Sequence, residues 1–175
     1  MTATAKSSDA EHLSAAFRLA EEALSNGEVP VGCVLVAQNG SGAVLGSGRN
    51  DVNRTNNATR HAELVAIERV TKATQIDWTD VCCYVTVEPC VMCADMLRQL
   101  RVGRIVFGCN NERFGGLGSV IDVRDYDDYD PKWNVVIERG TRADDAIRLL
   151  RLFYAQENPN APEPLRKGGR EVKPV

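Results

Sequence analysis

Long apolar runs are missing from the 175-residue sequence, which nowhere contains the roughly eighteen consecutive apolar residues of a membrane-spanning helix. Residues 1–11 also lack the apolar segment of a signal peptide. Transit peptides are poor in acidic residues, whereas Asp9 and Glu11 are acidic here and Lys6 is the only basic residue. We therefore expect a protein without membrane contact, located in the cytoplasm, the nucleus or both.

A surplus of basic residues is missing too. Lysine and arginine total 21 against 24 aspartates and glutamates, so the formal net charge is −3, and the sequence pI is near 5.5. Proteins that hold nucleic acid unaided carry a basic face or a high pI. The charge thus predicts that binding of a polyanion would depend on a partner. A homodimer with a basic patch that the net charge hides is the alternative.

Internal repeats and a second domain are also absent from the sequence pattern. A chain of 175 residues, 43% hydrophobic and 26% charged, is large enough for one domain with a proper core. We predict a flexible N-terminus over residues 1–11, a globular domain over 12–157, and an irregular tail over 158–175, where prolines and glycines recur. The tail is locally basic through Arg166, Lys167, Arg170 and Lys173.

The hydrophobic pattern predicts an α/β fold. Apolar residues recur at helical spacing over 13–24 and 64–70, and the run at 31–36 predicts a strand buried on both faces. Four more strands are expected at 43–48, 82–87, 104–108 and 134–137. A helix between the strands at 82–87 and 104–108 implies that they are parallel, with a right-handed crossover. Together these elements predict a three-layer α/β/α arrangement around a central mixed five-stranded sheet.

Two thiols follow the strand at 82–87. Pro89 is suited to a helix start, so Cys90 and Cys93 are expected in the first turn, on one face, where they can share a metal ion. The positive end of the helix dipole favours their thiolate forms. By itself, a C-x-x-C motif is also compatible with redox chemistry or with two small buried residues.

The segment His61-Ala62-Glu63 adds a third metal ligand. Two cysteines and one histidine leave the open position for water that a catalytic zinc needs. If His61 also stands at a helix start, it can ligate while Glu63 faces the bound water without ligating. The order H-x-E and then P-C-x-x-C is the signature of zinc-dependent nucleobase deaminases. The alternative for Glu63 is an exposed helix charge.

The six cysteines are not expected to form disulfides, because cytosolic and nuclear thiols stay reduced. Besides the two metal ligands, we predict core positions. Cys82 and Cys83 are adjacent in a strand, so their side chains face opposite sides and cannot ligate one ion together. Either of them alone as a fourth ligand of a structural zinc site remains a weaker alternative.

Further motifs resemble the tRNA-specific adenosine deaminases. They are E-V-P-V-G at 28–32, R-N at 49–50, H-A-E at 61–63, V-E-P-C-V-M-C at 87–93 and V-F-G at 106–108. The segments 108–116 and 153–162 are similar to the catalytic subunits of the eukaryotic enzymes that convert the wobble adenosine of tRNA anticodons to inosine. The resemblance extends from about residue 15 to residue 162.

This resemblance implies a cytidine deaminase-like fold, a Zn²⁺ cofactor bound by His61, Cys90 and Cys93, and hydrolytic deamination of adenosine with Glu63 moving the protons. It also implies two partners: tRNA, and a second deaminase-fold subunit that lacks the catalytic glutamate. Residues carried over as substrate contacts are Val31, Asn50, Ala62, Pro89, Asn111 and Arg113. The four basic tail residues are carried over as RNA contacts, although the tail is sparse in charge for this family.

Simpler interpretations compete with these roles. Asn50 could be a turn residue after a strand, and Asn111 and Arg113 could be ordinary residues of a surface loop. For the whole chain, the alternatives are a deaminase of free cytidine, cytidylate or guanine, and a non-enzymatic RNA-binding subunit with a structural zinc. Glu63 and the lack of a convincing fourth ligand argue against the structural site.

Overall fold

The computed structural model describes residues 3–73, 75–126 and 132–157. One mixed sheet has the strand order β2-β1-β3-β4-β5, with β1 antiparallel to β2 and β3, and β4 parallel to β3 and β5. The strands are β1 (Gly32–Ala37), β2 (Val44–Arg49), β3 (Val81–Val87), β4 (Arg104–Cys109) and β5 (Val136–Glu138). The predicted mixed five-stranded sheet is therefore confirmed.

Helices cover both faces of this sheet. They are α1 (Ala3–Ser25), α2 (Val52–Thr55), α3 (Ala62–Ala73), α4 (Val91–Gln99) and α5 (Ala143–Ala155). The buried residues of α1 and α5 share one hydrophobic core with half of the strand residues, and those of α3 and α4 share a second core with the other half. Side chains alternate between the two faces along each strand. The three-layer arrangement is confirmed, and Cys82 and Cys83 enter opposite cores as predicted.

The polar segment after β2 contains the short helix α2. Its N-terminal amides have no local cap, because the Asp51 side chain at the N-cap position accepts no capping hydrogen bond. The carboxylate of Glu28 accepts instead from the backbone N–H groups of Asn53 and Arg54, at 3.0 and 2.8 Å. Because Glu28 is more than twenty residues away in sequence, the residues next to α2 carry no pattern that predicts this cap.

Helix α1 starts at Ala3, earlier than the domain boundary that we predicted at residue 12. Within this helix, the Asp9 carboxylate pairs with the Arg104 guanidinium of β4 at 2.7 Å and accepts a hydrogen bond from the Tyr84 hydroxyl. Arg104 also pairs with Glu138 at 2.7 Å. These contacts join α1 to three strands. No helix in the described parts of the chain has the length and apolar content needed to cross a bilayer.

Replacing Asp9 with asparagine is expected to lower the free energy of unfolding by about 1–2 kcal/mol at neutral pH, since charge-assisted hydrogen bonds contribute this much when partly exposed. The hydrogen bond from Arg104 lowers the pKa of Asp9. A lowered folded-state pKa stabilises the fold above the unfolded value of about 3.9, and the contribution is lost as the pH falls through the folded-state value.

Urea unfolding at neutral and acid pH measures this contribution. The difference between wild type and variant should be full at neutral pH and shrink as Asp9 becomes protonated. Asp145→Asn is the matched control, because it removes only an exposed pair with Arg142, which contributes less than about 0.5 kcal/mol. Equal effects of the two substitutions would contradict the assignment.

Candidate active site

Two helix starts converge at one edge of the sheet. β3 ends at Val87, Cys90 is the N-cap of α4, and His61 directly precedes α3, with its carbonyl oxygen accepting from Val65 N at 3.0 Å. The Nδ1 atom of His61 lies 3.4 Å from Cys90 Sγ and 3.5 Å from Cys93 Sγ. Both helix starts agree with the prediction. Among the described residues, only His61, Cys90 and Cys93 bring three potential ligand atoms close enough to share a metal ion.

The three members of the triad differ in their protonation. Hydrogen bonding with the Cys93 thiol, supported by His61, lowers the pKa of Cys90 to about 4. The same hydrogen bond and burial raise the pKa of Cys93. Hydrogen bonding to Cys90 also raises the pKa of His61. Cys90 is therefore shifted towards the thiolate, the form of cysteine that binds a metal, whereas Cys93 and His61 are shifted towards their protonated forms and release a proton on binding one.

Glu63 lies in the first turn of α3 and is only 3% exposed. Burial is the main cause that raises the pKa of Glu63 to about 7, and the negative charge of Cys90 adds to it, while the backbone N–H of Glu63 opposes the shift. The alternative of an exposed helix charge is therefore wrong. A carboxyl group with a pKa near the working pH is suited to proton transfer in both directions.

Four predicted substrate contacts surround this edge of the sheet. Val31 and Asn50 are joined by the hydrogen bond from Asn50 N to Val31 O at 3.0 Å, and Gly32 N donates to Thr86 Oγ1 at 3.3 Å near the end of β3. Ala62 is fully buried between the histidine ligand and Glu63. Pro89 is buried directly before the first thiol. The start of β1 and the ends of β2 and β3 thus bring these residues to the metal site.

The loop after β4 reaches the same edge, because β4 is parallel to β3. The amide of Asn111 is engaged within the loop, since Nδ2 donates to Glu88 O at 3.4 Å and Oδ1 accepts from Phe114 N at 3.1 Å. This favours a structural role for Asn111. Arg113 is exposed, so its guanidinium can reach a ligand. The predicted tail contacts Arg166, Lys167, Arg170 and Lys173 lie outside the described residues.

The sequence analysis missed two buried carboxylates, Glu28 and Glu88, which are 0% and 1% exposed. Glu88 accepts from the backbone N–H groups of Asn111, Leu117 and Ser119 at 2.9–3.1 Å. It therefore holds the loop after β4 as Glu28 holds α2. A signal was present for Glu88, which lies between strand β3 and Pro89, because a charge in a buried segment requires hydrogen-bonding partners. Glu28 follows the polar residues Ser25, Asn26 and Gly27 and has no such signal.

Comparison with known proteins agrees with this geometry. Residues 6–109, more than half of the chain, match the family described as the cytidine and deoxycytidylate deaminase zinc-binding region. The chain belongs to this deaminase family. It is 51% identical over 158 residues to "tRNA-specific adenosine deaminase 2" of Danio rerio, covering 85% of this chain and 72% of that protein.

Two further relatives of this deaminase are informative. "tRNA-specific adenosine deaminase subunit tad2" of Schizosaccharomyces pombe is 42% identical over 163 residues, which cover 93% of this chain and 41% of that protein. A solved structure, described as "Biochemical and Structural Studies of A-to-I Editing by tRNA:A34 Deaminases at the Wobble Position of Transfer RNA", is 26% identical. It superimposes with a TM-score of 0.70, covering 81% of this chain and 99% of that chain.

The donor set of the deaminase site fits zinc. Tetrahedral zinc binds sulfur at about 2.3 Å and imidazole nitrogen at about 2.0–2.1 Å, which places these two donors roughly 3.5 Å apart. The separations of 3.4 and 3.5 Å between His61 Nδ1 and the two thiols agree with this value. Zinc is therefore the cofactor of this deaminase, with His61, Cys90 and Cys93 as the fitting ligands. Three protein ligands are typical of a catalytic zinc site.

Gly48→Ala is expected to displace the start of α3, which carries His61 and Glu63. A Cβ at position 48 of β2 would lie 2.7 Å from Ala66 N and closer still to the Ala62 carbonyl oxygen. We expect a loss of about 1–3 kcal/mol in the free energy of unfolding and lower deaminase activity per folded molecule. Gly40→Ala is the control, because its Cβ meets open space and only its φ of +86° opposes alanine.

Thermal unfolding and activity on the folded fraction separate the two glycine variants. Gly40→Ala should cost about 1 kcal/mol and leave activity per folded molecule unchanged. If Gly48→Ala loses stability but keeps wild-type activity per folded molecule, the close packing of β2 on α3 does not position the site.

Proposed function

We propose that the chain is the catalytic subunit of a zinc-dependent deaminase that converts adenosine to inosine at the wobble position of tRNA anticodons. The observation that carries the proposal is the buried Glu63 beside the histidine–cysteine triad, in a chain 51% identical to a protein named for tRNA-specific adenosine deamination. The similarity to a solved structure from studies of tRNA:A34 deaminases supports the wobble position of the anticodon as the target.

The reaction joins a water oxygen to C6 of adenine, breaks the bond from C6 to the exocyclic nitrogen and releases ammonia. Bound zinc supplies the positive charge that lowers the pKa of water towards neutrality. Glu63 accepts a proton as the new C–O bond forms and donates one to N1 of the base, which makes C6 more electrophilic. Glu63 then takes the second proton from the new hydroxyl on C6 and transfers it to the departing amine, which leaves as ammonia. Its pKa of about 7 allows both directions of transfer.

The remaining residues position the nucleotide. Asn50 contacts the base, while Val31, Ala62 and Pro89 enclose it at the sheet edge. Arg113 lies on the exposed part of the loop after β4. Beside it, Phe114 is 64% exposed, and its carbonyl oxygen accepts from Val91 N, the residue after the first thiol, at 2.9 Å. Exposed aromatic rings of this kind stack on unpaired bases, which favours an RNA substrate over a free nucleobase.

A second deaminase-fold subunit without the catalytic glutamate completes the enzyme. The net charge of −3 is poorly suited to holding tRNA unaided, and the relative in S. pombe is itself named a subunit. A self-sufficient homodimer is the competing arrangement. In the heterodimer, the partner brings additional RNA-binding surface.

The test is inosine formation in a tRNA transcript with adenosine at position 34, with this chain purified alone and co-expressed with the partner. We expect weak activity alone and robust activity with the partner. A transcript with guanosine at position 34 is the substrate control. Robust deamination by the chain alone at physiological salt would rule out an essential partner. Ammonia release from free cytidine, cytidylate or guanine, without inosine in tRNA, would instead establish a small-molecule deaminase.

Deleting residues 165–175 from the complex should weaken tRNA binding, because Arg166, Lys167, Arg170 and Lys173 are proposed to contact phosphates. Each lost contact should reduce the slope of log affinity against log salt by about 0.7–0.9. Binding titrations between low and physiological salt measure this slope. A tail of equal length that keeps these four residues among glycines and serines should retain the wild-type slope. An unchanged slope after deletion would remove the tail from the RNA-binding surface.

A further inference from the structure

Glu28 is a fully buried carboxylate that the proton transfers do not use. It lies between α1 and β1, and its two oxygens accept three hydrogen bonds. The donors are the backbone N–H groups of Arg54 and Asn53 and the side-chain Nδ2 of Asn50, the last at 3.3 Å. All three donors belong to the segment that follows β2. Glu28 therefore holds the predicted base-contacting residue in place.

Capping of α2 explains only two of these three hydrogen bonds. The backbone N–H groups of Asn53 and Arg54 belong to the first turn of α2, where orphan donors need acceptors. The third hydrogen bond comes from the amide side chain of Asn50, which precedes the helix and contributes nothing to its cap. Asn50 is 5% exposed, so its orientation is decided by partners in the protein.

The chemistry of the pair determines which end of the Asn50 amide faces Glu28. A carboxylate can only accept hydrogen bonds, so the Nδ2 group must point to it. The carbonyl oxygen Oδ1 consequently points away. No described residue donates a hydrogen bond to Oδ1. If Oδ1 were fully buried, it would be a buried polar atom without a partner, but among the described residues only Ser119 Oγ is such an atom. Asn50 Oδ1 therefore reaches solvent.

We infer that Glu28 is a positioning residue that orients the Asn50 amide, so that Oδ1 is presented to the site as a hydrogen-bond acceptor. The inference rests on the proposed function for the identity of the substrate. It adds the chemical class of the contact: Asn50 recognises a group of the nucleotide that carries an N–H or O–H donor. The hydrogen bond to Glu28 uses one of the two N–H donors of Nδ2 and leaves Oδ1 to accept.

A reversal of the hydrogen bond tests the orientation. In Asn50→Asp, two carboxylates face each other. In Glu28→Gln, an NH2 group replaces one of the two carboxylate oxygens, so the side chain can no longer accept hydrogen bonds at both atoms. In the double variant Glu28→Gln/Asn50→Asp, the glutamine N–H donates to one aspartate oxygen and the other oxygen still faces the site. The backbone N–H of Asn53, which shares this Glu28 oxygen with Asn50, loses its acceptor, so the rescue is measured against Glu28→Gln. Single-turnover deamination of bound tRNA by the zinc-loaded complex should fall about tenfold or more in each single variant and recover substantially in the double variant.

Unfolding temperature and tRNA affinity are measured on the same proteins. Glu21→Gln is the matched control for the lost charge, because Glu21 is an exposed residue of α1. A purely structural Glu28 predicts that the single variants lose stability, keep the wild-type rate when folded, and show no rescue. That result would overturn the inference, as would a double variant whose loss is the product of the two single losses.

A readout independent of activity separates this inference from the proposed function. The side-chain amide resonances of Asn50 in the zinc-loaded chain should shift in Glu28→Gln and remain unchanged in Glu21→Gln. Unchanged Asn50 resonances in both variants would overturn the orientation, whether or not tRNA is the substrate. If the Asn50 resonances shift in Glu28→Gln but the wild-type complex forms no inosine, the orientation is retained and the proposed function alone is refuted.

Discussion

Glu63→Ala should lower the deamination rate by about 10²–10⁴-fold, the usual contribution of a general acid–base group, and by more if the group acts in several steps. The structure gives the reason. Glu63 is 3% exposed, its pKa is raised to about 7, and it lies two residues after the histidine of the metal triad. The substitution removes no metal ligand. Zinc content should therefore stay near one ion per chain, and the fold should be retained.

Glu68→Ala provides the matched control on the same helix. Glu68 pairs with Arg60 and Lys72 at the surface, and the hydrogen bonds from these cations lower the pKa of Glu68 to about 2. Its loss should leave the rate within about twofold, because surface pairs contribute little to stability. Single-turnover inosine formation in tRNA is the measurement. A Glu63→Ala rate within about tenfold of wild type would remove Glu63 from the proton transfers.

The parts of the fold that could be predicted from sequence have local causes. Apolar runs identified the strands, and the spacing between Cys90 and Cys93 placed both thiols on one helix turn. The H-x-E motif then connected His61 and Glu63 to the same ion. In each case, residues close together in sequence carry the information, because helix and strand periodicities are short.

The parts that could not be predicted depend on contacts between distant segments. Glu28 caps α2 although the β1–β2 hairpin separates the two in sequence, and Asp9 joins α1 to β4 through Arg104. Asn111 was predicted to contact substrate, yet its amide stabilises its own loop. Which partner a polar side chain takes is decided by the tertiary structure, and the pattern of apolar residues contains no record of it.

The thiols of the metal triad are the basis of the second large effect. Zinc binds thiolates, and the pKa of Cys90 is lowered to about 4, so this ligand is deprotonated throughout the physiological range. A serine hydroxyl in its place stays protonated and offers a poor ligand. With both sulfurs replaced, His61 alone would have to hold the ion, although a zinc site needs at least three protein ligands.

Cys90→Ser/Cys93→Ser should therefore reduce the bound zinc from about one ion per chain to less than about a tenth, and deamination should fall to background. Metal analysis of the purified protein measures the first effect, and inosine formation measures the second. Cys82→Ser is the matched control: it lies on the opposite face of the sheet from α4, and its hydroxyl can accept from Arg104 as the thiol does. It should keep its zinc. Full zinc content in the double variant would show that the ion binds elsewhere, whereas zinc loss in both proteins would indicate general unfolding.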